Sequence, residues 1–107
     1  MKKSNIFANI PKQLNEELFE EIVSKDKFKI ERIVSSGQSS PESGWYDQDS
    51  NEWVIVLKGE AVLSYENSDD VRLKAGDYIN IPAHTKHKVA WTDPDIETIW
   101  IAVHYEG

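Results

Sequence analysis

Four polar side chains in this sequence have the types and the spacing that chemistry inside a protein requires. Tyr46, Gln48 and Glu52 are all even-numbered, so a regular β-strand would direct them to one face. Glu52 would share that face with Val54, and a carboxylate in an apolar lining needs a hydrogen-bond partner, a metal ion or a raised pKa. The fourth residue, His87, lies in a later segment that alternates in the same way.

These four side chains are compatible with two kinds of site. A metal ion held by Gln48, Glu52, His87 and Tyr46 would have an amide oxygen, a carboxylate, an imidazole and a phenol as ligands. Asp47 is the reserve ligand if a bulge reverses the parity, and Zn²⁺, Ni²⁺, Mn²⁺ and Fe²⁺ are all candidate ions. The alternative is a closed hydrogen-bond network of the same side chains without a metal.

Three further residues are candidates for a ligand pocket. His84 follows Pro82 by two residues, where a positive φ is expected at a turn or rim, with ligand contact as the alternative. His104 alternates with Trp100 and Ala102 on the last predicted strand, where it either supplies a further nitrogen to the cavity or has a packing or strand-end role. Trp91 has the parity of His87, so it either lines a pocket for a flat or apolar ligand or fills the core.

The elements that would position these residues are mostly β-strands. Turn residues recur about every 8–12 residues from residue 28 onward, as in sandwiches and barrels. A Ser- and Gly-rich loop is predicted over residues 35–44. The predicted strands are residues 28–34, 53–57, 61–65, 71–73, 78–81, 88–91 and 97–105.

The N-terminal part of the chain has a different pattern. Leu14, Leu18 and Ile22 recur every four residues, with glutamates on the other side. This spacing predicts a short N-terminal α-helix over residues 11–25, packed either on the β domain or on a second subunit.

Two stretches, residues 44–59 and 76–91, are similar to the two signature motifs of the cupin family. In the first, Glu52 is followed by six residues and then Gly59, which is the family spacing. The second opens with Gly-Asp-Tyr-Ile-Asn-Ile-Pro and has His87 at the position of the motif histidine. The chain therefore resembles a small single-domain member of the cupin superfamily.

The resemblance implies an all-β fold, a double-stranded β-helix or jelly-roll barrel. It also implies that Glu52 and His87 converge inside the mouth of the barrel. The family motif has His-x-His where this chain has Tyr46 and Gln48, so the first metal-binding motif is degenerate.

Three functions are compatible with this resemblance. The first is a module that binds a small molecule, a metal ion or both inside the barrel. The second is a metal-dependent isomerase or dioxygenase in which Glu52 and His87 hold the metal and Tyr46 acts as acid or base. The third is a structural or interaction protein with a metal-free core network. An iron dioxygenase needs a second imidazole, which only His104 or His84 could supply.

Length and composition limit the remaining classes of function. The chain has 107 residues, which suits a single domain, with residues 1–27 as the N-terminal segment and helix and residues 28–107 as the cupin domain. Its net charge of −7 disfavours binding to nucleic acid. No apolar run is long enough to span a bilayer, so a cytoplasmic protein is expected. Strands that are apolar on both faces agree with the homodimer that the resemblance implies.

Overall fold

The computed structural model describes residues 1–40 and 44–107, and these residues form eight β-strands and no helix. This confirms the all-β prediction. No helix in the described ranges is long and apolar enough to cross a membrane. The strands are β1 (Leu18–Lys25), β2 (Phe28–Ser35), β3 (Asn51–Lys58), β4 (Glu60–Tyr65), β5 (Ser68–Lys74), β6 (Tyr78–Ile81), β7 (His87–Thr92) and β8 (Thr98–Tyr105).

The strands form two antiparallel sheets. The larger has the order β1-β2-β8-β3-β6, and the smaller has the order β5-β4-β7. Alternate residues of the central strands point between the sheets, where they form one buried apolar cluster. The buried members of this cluster include Val54, Val56, Ala61, Leu63, Trp100 and Ala102.

The prediction of an N-terminal α-helix is wrong. The second half of that segment is β1, which pairs with β2 from Leu18 opposite Val34 to Lys25 opposite Phe28. The β-branched Ile22 and Val23 favour a strand, and both side chains are exposed rather than buried along a helical stripe. Hydrogen bonding to the open edge of β2 therefore outweighs the four-residue apolar repeat.

Arg32 holds the N-terminal segment against the larger sheet. This buried guanidinium donates from Nη1 to the carbonyl oxygens of Ile6, at 3.1 Å, and Ala8, at 2.6 Å, and from Nη2 to that of Asn9 at 3.5 Å. It also forms an ion pair with Glu20 on β1. Residues 6–9, which form a turn and a bend, thus direct their carbonyl oxygens at a buried charge and satisfy it.

The predicted loop after β2 runs along the free edge of β7. Ser40 donates its backbone N–H to the Val89 carbonyl at 2.8 Å, and its hydroxyl accepts the Val89 N–H at 3.0 Å. Residues 41–43 of this loop lie outside the described residues. After them, Tyr46 and His87 exchange two backbone hydrogen bonds, which fixes Tyr46 beside the first residue of β7.

Candidate functional site

Glu52 and His87 face each other from the two sheets. Glu52 is the second residue of β3, where it is paired with Ile81 on one side and His104 on the other. His87 is the first residue of β7 in the smaller sheet. The Nε2 atom of His87 lies 3.5 Å from Oε1 of Glu52, and the two side chains are 7% and 12% exposed. The structure thus brings together the two residues that the resemblance implied would converge.

The orientation of the His87 ring is set by a backbone carbonyl. Nδ1 lies 2.7 Å from the carbonyl oxygen of Thr85, and because that oxygen only accepts hydrogen bonds, Nδ1 carries a proton. Nε2 is therefore the atom that faces Glu52. It presents a proton to the carboxylate when the ring is charged and a lone pair when it is neutral.

This environment changes the pKa of His87. Burial acts to lower the pKa, but the hydrogen bond to Glu52, the hydrogen bond to the Thr85 carbonyl and the negative charge of Glu52 outweigh it, so the pKa lies above its usual value. Burial and the Glu52 charge also raise the pKa of Tyr65, whose ring centroid lies 6.4 Å from that of His87. The Glu52–His87 pair can therefore hold a proton at Nε2 of His87, next to the Tyr65 phenol, which stays neutral.

Gln48 and Tyr46 complete the predicted group in different ways. Gln48 donates from Nε2 to Oε1 of Glu52 at 3.3 Å, and its backbone carbonyl accepts the His84 N–H at 2.8 Å. Tyr46 is more exposed than Glu52 and His87. Its ring centroid lies 5.9 Å from that of His87, at an interplanar angle of 49°. Gln48, Glu52 and His87 thus form one connected polar group, with Tyr46 on its solvent side.

A pocket of about 140 Å³ opens between the sheets beside this group. Its apolar wall includes Ile33, Val54, Leu63, Ile81 and Val89. Trp100 also lines it, and the Trp100 Nε1–H is buried without a hydrogen-bond partner among the described residues. The Tyr65 hydroxyl is also buried without a partner among the described residues, so the core carries two unpaired donors, each of which is costly.

The pocket contains two further carboxylates that the sequence interpretation missed. Glu31 accepts a hydrogen bond from Nε2 of His104 at 2.9 Å, so the predicted pocket residue His104 does line the cavity but is paired. Glu17 accepts the hydroxyl hydrogen bond of Ser35 at 2.5 Å. Burial raises the pKa of Glu17, and the hydrogen bond from Ser35 offsets only part of this.

The structure places two of the predicted pocket residues outside this cavity. A β-bulge in the pairing of β4 with β7 sets Val62 opposite Trp91 and Leu63 opposite Val89, so Trp91 points away from the His87 face. Trp91 is 38% exposed and packs against the Arg72 guanidinium instead.

His84 lies at the rim of the barrel rather than in its pocket. Its φ of 62° confirms the expected positive value, and its side chain is 64% exposed. Nδ1 of His84 lies 3.0 Å from Oδ1 of Asp47, the predicted reserve ligand, which therefore also points to the rim. Neither residue reaches the Glu52–His87 pair.

The donors present are a poor match for a tight metal site. Across residues 1–40 and 44–107, no group of three or more His, Cys, Asp and Glu side chains is arranged to hold a metal ion. Glu52 and His87 offer one carboxylate and one imidazole, and Gln48 adds a neutral amide oxygen. This set fits a weakly held divalent cation at most.

Sequence comparison assigns the chain to a family. The family model described as "Cupin domain" matches residues 32–104, which is most of the chain's 107 residues. The chain belongs to the cupin family. The resemblance drawn from Glu52, Gly59 and His87 is thereby confirmed, whereas a search of curated proteins found no match.

Solved structures of other cupins share the fold. A Ralstonia eutropha JMP134 protein named "putative mannose-6-phosphate isomerase" has a TM-score of 0.95 and 40% identity, and the alignment covers 100% of both chains. An RmlC-like cupin with a double-stranded β-helix fold from Methanocaldococcus jannaschii has a TM-score of 0.71 and 20% identity, over 91% of this chain and 86% of that chain. A cupin superfamily protein from Desulfitobacterium hafniense DCB-2 has a TM-score of 0.79 and 17% identity, over 100% of this chain and 94% of that chain. The fold of this cupin is therefore a double-stranded β-helix.

Proposed function

We propose that this cupin binds a small hydroxylated molecule in the pocket between its two sheets. The observation that carries the proposal is a pocket whose lining combines an apolar wall with the connected Gln48–Glu52–His87 group and the Glu17 carboxylate. A hydroxyl group both donates and accepts hydrogen bonds, so a molecule with several hydroxyl groups can pair with the carboxylates and with the Gln48 amide together. The apolar wall would contact its carbon skeleton.

The size of the pocket limits the ligand to a compact molecule. Its volume of about 140 Å³ is well below the roughly 300–1,000 Å³ of sites for drug-sized ligands. The name of the Ralstonia protein suggests a hexose or hexose phosphate as a first probe. Mannose, mannose 6-phosphate and glycerol together span a suitable range of size and charge.

An NMR titration of amide signals tests this function. We expect these probes to shift the amides of Val54, Leu63 and Val89, which line the pocket. Glu52→Gln should weaken binding by about tenfold, because hydrogen bonds to a charged group contribute about 1.5–3 kcal/mol.

Glu66→Gln is the matched control for Glu52→Gln. It removes the same charge from an exposed glutamate that is paired with Lys86, so binding should not change. The proposal would be contradicted if none of the three probes shifted the pocket amides. It would also be contradicted if Glu52→Gln and Glu66→Gln bound them equally well.

A second candidate function is a metal-dependent isomerase. It is favoured by the His87 ring, because a metal-binding imidazole commonly donates its other N–H to a carbonyl, as His87 does to Thr85. Glu52, His87 and Gln48 would hold the divalent ion, which would polarise a ligand oxygen. A dioxygenase has less support, since His104 is paired with Glu31 and His84 lies at the rim.

Elemental analysis separates this candidate from a metal-free binding module. The protein would be purified without a His tag, incubated with Zn²⁺, Ni²⁺, Mn²⁺ or Fe²⁺ and desalted, beside Glu52→Gln and His87→Ala. Near-stoichiometric metal that is lost in both variants would support the isomerase. Metal-free protein that still binds the probes would support the binding module, and metal-free protein that binds none would favour a structural role.

We also propose that this cupin is a homodimer. The outer face of the larger sheet is apolar, and only the part around Val34 and Ile99 is fully buried within one chain. Its half-buried or exposed side chains include Ile30, Trp53, Ile55, Tyr78, Ile101 and Val103. A second copy of the chain would cover this face.

A further inference from the structure

We propose that three lysines beside the barrel pocket form a subsite for an anionic group. The ligand would then be a hydroxylated molecule with a phosphate or another anionic group at one end. This inference rests on the proposed function, because it assumes that the uncharged part of the ligand occupies the pocket between the sheets.

The pocket itself is unsuited to an anion. None of the described residues that line it is Lys or Arg. Three of them are glutamates: Glu17, Glu31 and Glu52. An anionic group placed there would lose its hydration and would face carboxylates of the same charge. Any anionic part of a ligand must therefore lie outside this cavity.

A second depression adjoins the pocket and has the opposite character. Its volume is about 280 Å³, and it shares Gln48 and His104 with the barrel pocket. These two side chains thus form the boundary between the cavities. A ligand that extends from one cavity to the other would pass between or over them.

The three lysines come from the hairpin that joins β1 and β2. Lys25, Lys27 and Lys29 all line the second depression, and Lys29 is paired in register with His104 on β8. Nζ of Lys29 forms an ion pair with Oε2 of Glu31 at 3.6 Å. Lys25 and Lys27 are exposed and form no ion pair within the described part of the chain.

The rim is less acidic than the barrel pocket, although Glu31 partly neutralises Lys29. Three ammonium groups stand against the two carboxylates of Asp26 and Glu106 in the lining, in a chain with a net charge of −7. An ammonium group is a compact charge with three rotatable donors, which suits the oxygens of a phosphate. An acidic interior and a rim that bears Lys25 and Lys27, unpaired among the described residues, would orient a ligand with its hydroxyl groups inward and its anion outward.

The test uses NMR titrations of the full chain with inorganic phosphate, mannose and mannose 6-phosphate. Phosphate and mannose 6-phosphate should shift the amides of residues 25–29, and mannose 6-phosphate should bind about tenfold more tightly than mannose, as two weak charge pairs allow. The double variant Lys25→Ala/Lys27→Ala should bind mannose 6-phosphate no more tightly than mannose. Its affinity for mannose should be unchanged.

A charge-matched control separates a subsite from general attraction. Lys12→Ala/Lys74→Ala removes two exposed lysines that do not line either cavity, so it should keep the tenfold advantage. Equal losses in the two double variants would overturn the subsite, because they would indicate only long-range attraction. Phosphate that leaves the amides of residues 25–29 unshifted would also overturn it.

The outcomes for the subsite and for the proposed function are distinct. If mannose shifts Val54 and Val89 but mannose 6-phosphate binds no more tightly, the subsite is wrong and the binding pocket stands. If phosphate shifts residues 25–29 but no probe shifts Val54 and Val89, the proposed function is wrong while the rim still binds anions.

Discussion

The imidazole of His87 is held between one group that fixes its tautomer and one that attracts its proton. The Thr85 carbonyl accepts from Nδ1 at 2.7 Å, and Glu52 lies 3.5 Å from Nε2. In the absence of a cation, a neutral ring would point its Nε2 lone pair at a carboxylate, which is repulsive. The charged ring removes this repulsion, which is the physical reason that the pKa of His87 is raised despite burial.

This arrangement predicts a specific pH dependence of stability. Because the pKa of His87 is higher in the folded chain than the usual value of about 6.5, its contribution to stability is fully present below about pH 6.5. That contribution is lost as the pH rises through the folded pKa. The free energy of unfolding, measured in urea from pH 6 to pH 9, should therefore fall over this range.

The Glu52→Gln variant checks the cause of this pH dependence. Removing the carboxylate should lower the pKa of His87, followed by NMR of its ring protons, and should flatten the fall in stability. Glu66→Gln should leave both unchanged. A His87 that titrates below the usual imidazole range in the wild-type chain would contradict the prediction.

At the scale of single residues, the sequence predicted some positions and not others. Parity and motif spacing placed Gln48, Glu52 and His87 in one group, because they lie on or beside regular strand segments. Trp91 was assigned to the wrong face because a bulge adds one residue and reverses parity, and nothing in the local sequence marks it. Glu31 shares a strand face with the buried Ile33, but periodicity alone cannot say which face of a sheet lines a cavity.

The turns that end the strands of this cupin depend on two glycines in different ways. Gly59 joins β3 to β4 with a φ of +87°, and Gly76 precedes β6 with a φ of +94°. A Cβ at Gly59 would lie 2.5 Å from Oγ1 and 2.7 Å from Cα of Thr98. A Cβ at Gly76 would have no heavy atom of the described chain within 4 Å.

These two turns give a matched pair of substitutions. Gly59→Ala adds a clash with backbone to the strain of a positive φ, and we expect it to destabilise the fold by about 3 kcal/mol or more. Gly76→Ala adds only the strain, which costs about 1–2 kcal/mol. Urea unfolding followed by circular dichroism measures both, and equal losses in the two variants would show that close packing at Gly59 is unimportant.

At the scale of elements, the N-terminal segment shows why sequence patterns can mislead. Leu14, Leu18 and Ile22 have helical spacing, but β1, at the edge of the larger sheet, is exposed on both faces from Glu21 to Lys25 and so need not show regular alternation. The decisive interactions are the hydrogen bonds of β1 to β2 and the Arg32 contacts to residues 6–9, which join segments distant in sequence. The interior strands were predictable because both of their faces must be apolar or paired.

At the scale of the whole molecule, both faces of the larger sheet are apolar, and the described chain covers the outer face only in part, around Val34 and Ile99. Its inner face packs against the smaller sheet and forms the pocket. On its outer face, Trp53 packs against Tyr78 with ring centroids 5.4 Å apart and the ring planes tilted by 41°, yet Tyr78 remains 66% exposed. Exposed aromatic and β-branched side chains that lie next to one another typically mark an interface between subunits.

The prediction is that this outer face holds two copies of the chain together. The wild-type protein should have about twice the 12.3 kDa mass of one chain in size-exclusion chromatography with light scattering. Ile101→Glu places a charge at the centre of the outer face, and Tyr78→Ser removes an exposed ring. Both variants should dissociate to monomers, because an unpaired charge or a lost aromatic anchor weakens an apolar interface.

Folding must be separated from association in this experiment. Ser64→Glu introduces the same charge on a strand of the smaller sheet, away from the proposed interface, so it should remain dimeric. Circular dichroism should show the same β-sheet content in all variants. A wild-type chain that is monomeric at 100 μM or above would show instead that the N-terminal segment and solvent alone cover this face. The stability changes predicted for Gly59→Ala and for the titration of His87 would then be those of a monomer.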